Sequence, residues 1–220
     1  MNIAILGAAG TIGRSAIPAL IADGHTIRAV GRSEGKLKQA FGGMDAVTAV
    51  AADVSTREGC AKAVMDADAI LYSLGLPYSR TSFAAYPSMM KLCAETARAA
   101  GVRRLMLISP VYSYGRPSSL PIAETHPRTP CSVKGKWRKL QEDAVIEAHD
   151  GSSFETLVLG LPDFYGPYAS GSMGNVIIRP GVEGKRTDLL GPVDRPHEFV
   201  FTPDVGPVIS ARQREIVQGY

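Results

Sequence analysis

Asn2-Ile3-Ala4-Ile5-Leu6 leads into Gly7-Ala8-Ala9-Gly10-Thr11-Ile12-Gly13 at the start of the chain. The apolar run is typical of a buried strand, and residues 12–21 carry apolar side chains at helical spacing. A helix that starts directly after such a turn has first N–H groups without internal partners. These groups and the positive end of the helix dipole attract phosphate. We therefore expect residues 7–13 to form a phosphate-binding loop.

The rest of the chain continues the alternation of strand and helix. Further apolar runs occur at residues 26–30, 47–51, 69–73, 105–109 and 156–159, with helical stretches between them. Continuous apolarity indicates strands that helices cover on both faces. The sequence therefore predicts an α/β fold, a Rossmann-type doubly wound parallel sheet. From about residue 161 the chain is rich in Gly and Pro, which predicts a small, loop-rich C-terminal substrate-rim region.

Local signals mark several helix boundaries. Ser55 and Glu58 have the spacing of a capping box, which predicts a helix from Ser55 to about residue 67. Two more helices are predicted at residues 87–100 and 135–149, each followed by a glycine.

The glycines of the first turn fit a dinucleotide. Gly7 permits the tight turn, Gly10 lets the backbone approach a diphosphate, and Gly13 lets helix and strand pack closely. The backbone at Ala9, Thr11 and Ile12 would then contact the diphosphate. The alternative is a glycine-rich turn without a ligand, and the position at the first strand-to-helix junction favours the dinucleotide.

The end of the second strand bears on cofactor choice. An acidic residue there would bind the ribose hydroxyls of NAD, and this strand instead leads into Arg32, Ser33 and Lys36. Since a guanidinium can pair bidentately with a 2′-phosphate, NADP(H) is favoured and NAD(H) is the alternative. In a competing interpretation this is a solvated turn in which Glu34 neutralises Arg32.

Two later strand ends complete the predicted cofactor site. Asp53 and Val54 follow the third strand, where Asp53 would bind the adenine amino group or instead cap the next helix. Ser73, Leu74 and Gly75 follow the fourth strand, beside the expected position of the nicotinamide ribose.

Composition excludes other classes of function. The 24 basic and 21 acidic side chains give a net charge of +3 without a basic cluster of the nucleic-acid-binding kind. The three cysteines are far apart, so we expect reduced thiols, no disulfide and no structural metal. No secretory leader or apolar span of about 18 residues is present, which predicts a cytoplasmic protein with no membrane contact.

The chain resembles the short-chain dehydrogenase/reductase superfamily over nearly its whole length. The matching pieces are the Gly7 loop, Asp53, residues 107–115 (Leu-Ile-Ser-Pro-Val-Tyr-Ser-Tyr-Gly), residues 164–167 and residues 201–205. They are most similar to the atypical and extended, epimerase/dehydratase-like branch. The resemblance implies a domain over residues 1–160 that binds NAD(P) and a rim extension over 161–220. Extended members continue further, so the rim is expected to be open, completed by another subunit or truncated.

The resemblance also implies where the chemistry would occur. Family members use a Ser on the fifth strand and a Tyr-x-x-x-Lys pair on the next helix. Here Ser109 matches the Ser, but Lys134 stands in the Tyr position and Arg138 in the Lys position. Tyr112 is the first candidate for the proton donor, with packing as its alternative role. Lys134 could replace it only if its surroundings lowered its pKa.

These observations leave two main hypotheses about function. The first is an NADP(H)-dependent oxidoreductase or epimerase that acts on a small carbonyl or hydroxyl compound. The second is a catalytically silent dinucleotide-binding module that senses redox state. A lyase or isomerase without net cofactor consumption is a third. A small-molecule substrate is the expected partner, and a homodimer is one open alternative for assembly.

Overall fold

The protein, described here as a computed structural model, forms a six-stranded parallel sheet between two helical layers. The structure describes residues 1–169, 171–189, 194 and 196–218. The central strands and the helices that follow them are β1 (Asn2–Leu6), α1 (Thr11–Ala22), β2 (Thr26–Gly31), α2 (Glu34–Phe41), β3 (Val47–Ala51), α3 (Arg57–Val64), β4 (Ala69–Tyr72), α4 (Arg80–Ala84), α5 (Tyr86–Ala99), β5 (Arg104–Pro110), α6 (Val133–Ala148) and β6 (Glu155–Leu161). A single 3-10 turn, Val111–Ser113, follows β5.

The strand order is β3-β2-β1-β4-β5-β6, which confirms the predicted Rossmann-type sheet. All six strands are parallel. From β1 the chain adds strands first on one side (β2, β3) and then on the other (β4, β5, β6), so the switch point lies between β1 and β4. Ligands of such sheets bind in the crevice at the carboxyl ends of the strands, above this point. Alternate residues of β1 face opposite layers. Ala4 and Leu6 belong to the core beneath α3, α5 and α6, whereas Ile3 and Ile5 pack towards α1, α2 and α8. This two-sided burial is why the strands have no polar face.

The predicted start of α3 at Ser55 is wrong by one residue. Thr56 caps this helix, and its Oγ1 accepts a hydrogen bond from the Gly59 amide at 3.0 Å. Ser55 lies in the preceding turn, where its amide and its hydroxyl both donate to Asp53 Oδ1. Because Asp53 holds Ser55 in this turn, the next hydroxyl in the chain becomes the cap.

The Gly- and Pro-rich segment after β6 contains regular elements as well as loops. They are β7 (Asp163–Tyr165), α7 (Met173–Val182), β8 (Phe199–Phe201) and α8 (Thr202–Gln218), and β7 pairs with β8. Helix α8 packs on α1, where a Cβ at Gly206 would lie 2.3 Å from the carbonyl oxygen of Ser15. Among the described residues, we find no helix with the length and apolarity needed to cross a bilayer.

Candidate functional site

The loop between β1 and α1 is built on close backbone contacts. Gly7 has a φ of +89°, and a Cβ there would lie 3.0 Å from the carbonyl oxygen of Ser73. At Gly13 a Cβ would lie 2.3 Å from the carbonyl oxygen of Ala8, so α1 sits directly against the loop. Gly10 caps α1 without a side-chain hydrogen bond. The first amides of α1 are therefore available to a diphosphate, which the bare backbone here can approach.

Tyr168, in the loop after β7, contacts the outer side of this loop. The Thr11 hydroxyl donates to the carbonyl oxygen of Tyr168 at 2.8 Å. The Arg14 guanidinium lies 4.9 Å from the centroid of the Tyr168 ring, and its Nε donates to the carbonyl oxygen of Ala9. The Thr11 hydroxyl is therefore already hydrogen-bonded within the protein.

One cavity of about 910 Å³ extends from this loop across the carboxyl ends of the strands. Its volume lies in the range of ligand-binding pockets. Sixteen of the seventeen predicted site residues line it: Gly7, Ala9, Gly10, Thr11, Ile12, Arg32, Lys36, Asp53, Val54, Ser73, Leu74, Gly75, Ser109, Tyr112, Lys134 and Arg138. Ser33 is not among the lining residues, because its Oγ caps α2 and accepts from the Lys36 amide at 3.3 Å.

Arg32 and Lys36 form the end of the cavity beside β2. Glu34, which could have neutralised Arg32, instead pairs with Lys38 at 2.6 Å. The hydrogen bonds from Ser55 lower the pKa of Asp53, which keeps this carboxylate charged at the same end of the cavity. Within the described part of the chain, Arg32 forms no salt bridge, although its charge contributes to the lowered pKa of the nearby Asp53 carboxyl.

Ser109 lies on β5 at the opposite end of the cavity from Arg32, and its hydroxyl already forms a hydrogen bond within the protein. It donates to Oε1 of Glu142 at 2.6 Å, and both side chains are buried. Oε2 of the same carboxylate accepts from Arg128 at 3.1 Å. A second bond joins Arg128 to Asp143. The buried Glu142 is thus hydrogen-bonded on both oxygens, and it fixes the position of the Ser109 hydroxyl.

Lys134 lies among three aromatic rings. Its Nζ is 3.5 Å from the centroid of Tyr112, 4.7 Å from that of Tyr78 and 5.8 Å from that of Phe83. It also donates to the Tyr78 hydroxyl at 3.3 Å. Ring quadrupoles attract a cation, so these three rings hold the Lys134 side chain in place.

Arg138 lies one turn further along α6. It donates to the Tyr86 hydroxyl and to Oε1 of Gln141, both at 2.8 Å, and its Cζ lies 3.6 Å from the Tyr86 ring centroid. Tyr86 also accepts a bond from the Leu76 amide at 2.9 Å, in the loop after β4. Burial lowers the pKa of Arg138, whose partners are neutral groups rather than a carboxylate. The guanidinium thereby ties α6 to the predicted nicotinamide-ribose loop.

Sequence reasoning missed the contribution of the segment from the end of β4 to the start of α5. Tyr78, Phe83 and Tyr86 all line the cavity. Phe83 at the end of α4 and Tyr86 at the start of α5 stack with ring centroids 5.9 Å apart. The partnership of Ser109 with Glu142 had no local sequence signal, since the two residues are 33 positions apart.

Comparisons with known proteins agree with this geometry. A family model described as NAD(P)H-binding matches residues 7–150, which is more than half of the chain. UDP-arabinose 4-epimerase 1 of Arabidopsis thaliana is 31% identical over 80 residues. That match spans 36% of this chain and only 19% of the relative.

Solved structures show the same fold. A dTDP-glucose 4,6-dehydratase from Streptomyces venezuelae, with NAD and TYD bound, has a TM-score of 0.82 at 18% identity, covering 96% of this chain and 71% of that one. UDP-glucuronic acid 4-epimerase from Bacillus cereus, in complex with NAD and UDP-glucuronic acid, gives 0.83 at 18% identity, with 97% and 73% covered. A short-chain dehydrogenase/reductase superfamily protein from Agrobacterium tumefaciens, with bound NAD, is 26% identical at a TM-score of 0.64, with 76% and 50% covered.

These findings confirm the resemblance inferred from the sequence. The family match begins at Gly7 and so includes the glycine loop, and the neighbouring folds are of the epimerase/dehydratase type. The chain belongs to the NAD(P)H-binding family.

Proposed function

We propose that the protein is an NADP(H)-dependent oxidoreductase or epimerase that acts on a small carbonyl or hydroxyl compound. The supporting observation is one continuous cavity that joins the glycine loop and Arg32 at one end to Tyr112 and Lys134 at the other. A bound nicotinamide would supply hydride transfer, while the protein supplies position and polarity. The Gly7 loop would hold the diphosphate and Arg138 would lie beside the nicotinamide ribose.

In this proposal Tyr112 exchanges the proton at the substrate oxygen. Its ring lies directly against the Lys134 ammonium, which would stabilise negative charge that develops on the phenol or the substrate. Ser109 would act indirectly, because its proton is directed at Glu142. Arg138 would position the ribose and not shuttle protons, since a guanidinium remains charged.

Replacement of Tyr112 by Phe tests this role. We expect kcat for NADPH oxidation against a panel of small aldehydes and ketones to fall about 10²-fold, because a proton donor contributes at least that much. Tyr114→Phe is the matched control, since Tyr114 packs against His126 and is not among the lining residues. Equal rates in wild type and Tyr112→Phe would assign proton transfer to another group.

The preference for NADP(H) is supported by Arg32 and Lys36. A 2′-phosphate at this end would pair with the Arg32 guanidinium, because Glu34 pairs with Lys38 rather than with Arg32. We expect Arg32→Gln to raise the Kd of NADPH about tenfold and to leave the Kd of NADH unchanged. Arg57→Gln, on the exposed pair with Glu95, is the control. A wild-type protein that binds NADH more tightly than NADPH would show that the turn is only a solvated cationic loop.

The redox-sensor hypothesis is the second candidate. It is supported by the residues that replace the Tyr-x-x-x-Lys pair: Lys134 is held by aromatic rings and Arg138 by Tyr86 and Gln141. Calorimetric binding of NADPH combined with the absence of any turnover or product on the panel would favour the sensor. Product analysis is needed alongside the oxidation assay, because an epimerase regenerates its cofactor.

A further inference from the structure

The end of the cavity beside β5 and α6 carries an excess of positive charge. Lys134 and Arg138 both line it, one helical turn apart. Neither forms an ion pair with a carboxylate within the described residues, since their hydrogen-bond partners are the hydroxyls of Tyr78 and Tyr86 and the amide oxygen of Gln141. The nearby Glu142 is offset by Arg128.

Two carboxylates among the described lining residues could balance these cations. Asp53 lies at the far end, after β3, and is bonded to Ser55. Asp163 follows β6 and lies 2.9 Å from Nε2 of His197. Asp163 is therefore the one of the two that belongs to the same half of the sheet as Lys134.

Sheet topology decides which part of a dinucleotide would meet this charge. With Arg32 and Asp53 beyond β2 and β3 at the adenosine end, the nicotinamide end must lie on the other side of the switch point, towards β4 and β5. Lys134 and Arg138 belong to that half. The oxidised nicotinamide ring carries a positive charge, whereas the reduced ring is neutral. All other parts of the two cofactor forms, including every phosphate, are identical.

We infer that Lys134, with Arg138, makes this site selective for the reduced cofactor over the oxidised one. The inference rests on the proposed dinucleotide binding and adds a preference for one redox form. A fixed cation in a partly buried cavity repels the oxidised ring and leaves the reduced ring nearly unaffected. The aromatic cage of Tyr78, Phe83 and Tyr112 keeps the ammonium in place. Occupancy of the site then follows the reduced fraction of the cofactor pool.

The test is the ratio of the Kd of NADP⁺ to the Kd of NADPH, measured by calorimetry on the purified chain. We expect a ratio well above one in wild type and a decrease of about tenfold in Lys134→Met, which keeps an apolar stem between the rings. Lys134→Arg should retain the wild-type ratio because it retains the charge. Lys136→Met, an exposed change on the same helix, should also leave the ratio unchanged.

Asp163→Asn should change the ratio of the two Kd values in the direction opposite to Lys134→Met. Removal of this carboxylate should increase the ratio, because it leaves Lys134 and Arg138 less compensated. The pair NAD⁺ and NADH should give the same ordering of variants, since the 2′-phosphate is absent from both. If neither redox form binds, the proposed function fails. If both bind and the ratio is the same in wild type, Lys134→Met and Asp163→Asn, binding stands and the selectivity inference is overturned.

Discussion

Gly13→Ala is expected to destabilise the protein by about 3 kcal/mol or more and to abolish cofactor binding. The new Cβ would lie 2.3 Å from the carbonyl oxygen of Ala8 and 2.6 Å from its Cα, both backbone atoms of the loop itself. No side-chain rotation can relieve such contacts, so α1 must move away from β1. That movement displaces the helix amides on which a diphosphate would rest.

Gly35→Ala is the matched control for this change. Gly35 lies in the first turn of α2, where a Cβ meets open space, and alanine has the higher helix propensity. We expect this variant to be as stable as wild type or more stable by up to about 1 kcal/mol. Urea denaturation gives the stabilities and NADPH titration gives the affinities. A Gly13→Ala protein that retains wild-type affinity would show that the close approach of α1 to the loop is dispensable.

The sequence predicted the sheet and the cofactor end of the cavity for a shared reason. Both depend on local patterns: apolar runs such as residues 47–51 mark buried strands, and the glycines at positions 7, 10 and 13 mark a strand-to-helix turn. The parallel order of the strands then brings their carboxyl ends to one edge. Residues such as Arg32, Asp53 and Ser73, each close after a strand, were therefore predictable as neighbours in one cavity.

The other end of the cavity depends on contacts between distant segments. The cage around Lys134 takes Tyr78 from the loop after β4, Phe83 from α4 and Tyr112 from the turn after β5. No periodicity along the chain connects these positions. The sequence also did not show which hydrogen bonds nearby polar groups would form. Ser33 is an example, because its hydroxyl caps α2 instead of facing the cavity. Local hydrogen bonds of this kind are decided by geometry that residue type alone does not give.

Glu142→Ala is expected to have a comparably large effect, with a loss of about 3–5 kcal/mol of stability. The Glu142 carboxylate is buried and accepts bonds from Ser109 and Arg128. Its removal leaves the buried Ser109 hydroxyl without its acceptor and Arg128 with Asp143 alone. A void remains between α6 and β5, which adds to the cost. Chemical denaturation at neutral pH measures this loss as a decrease in the midpoint concentration.

Glu147→Ala controls for the change to alanine on the same helix, because Glu147 is exposed and should alter stability by no more than about 0.5 kcal/mol. Arg128→Ala and the double variant complete a thermodynamic cycle. A coupling energy of about 0.5–3 kcal/mol between Glu142 and Arg128 is expected for partners in one buried network. Additive effects of the two single changes would show that Glu142 stabilises the fold through Ser109 and packing alone. In that case the position of Ser109 in the cavity would not depend on the charge of Arg128.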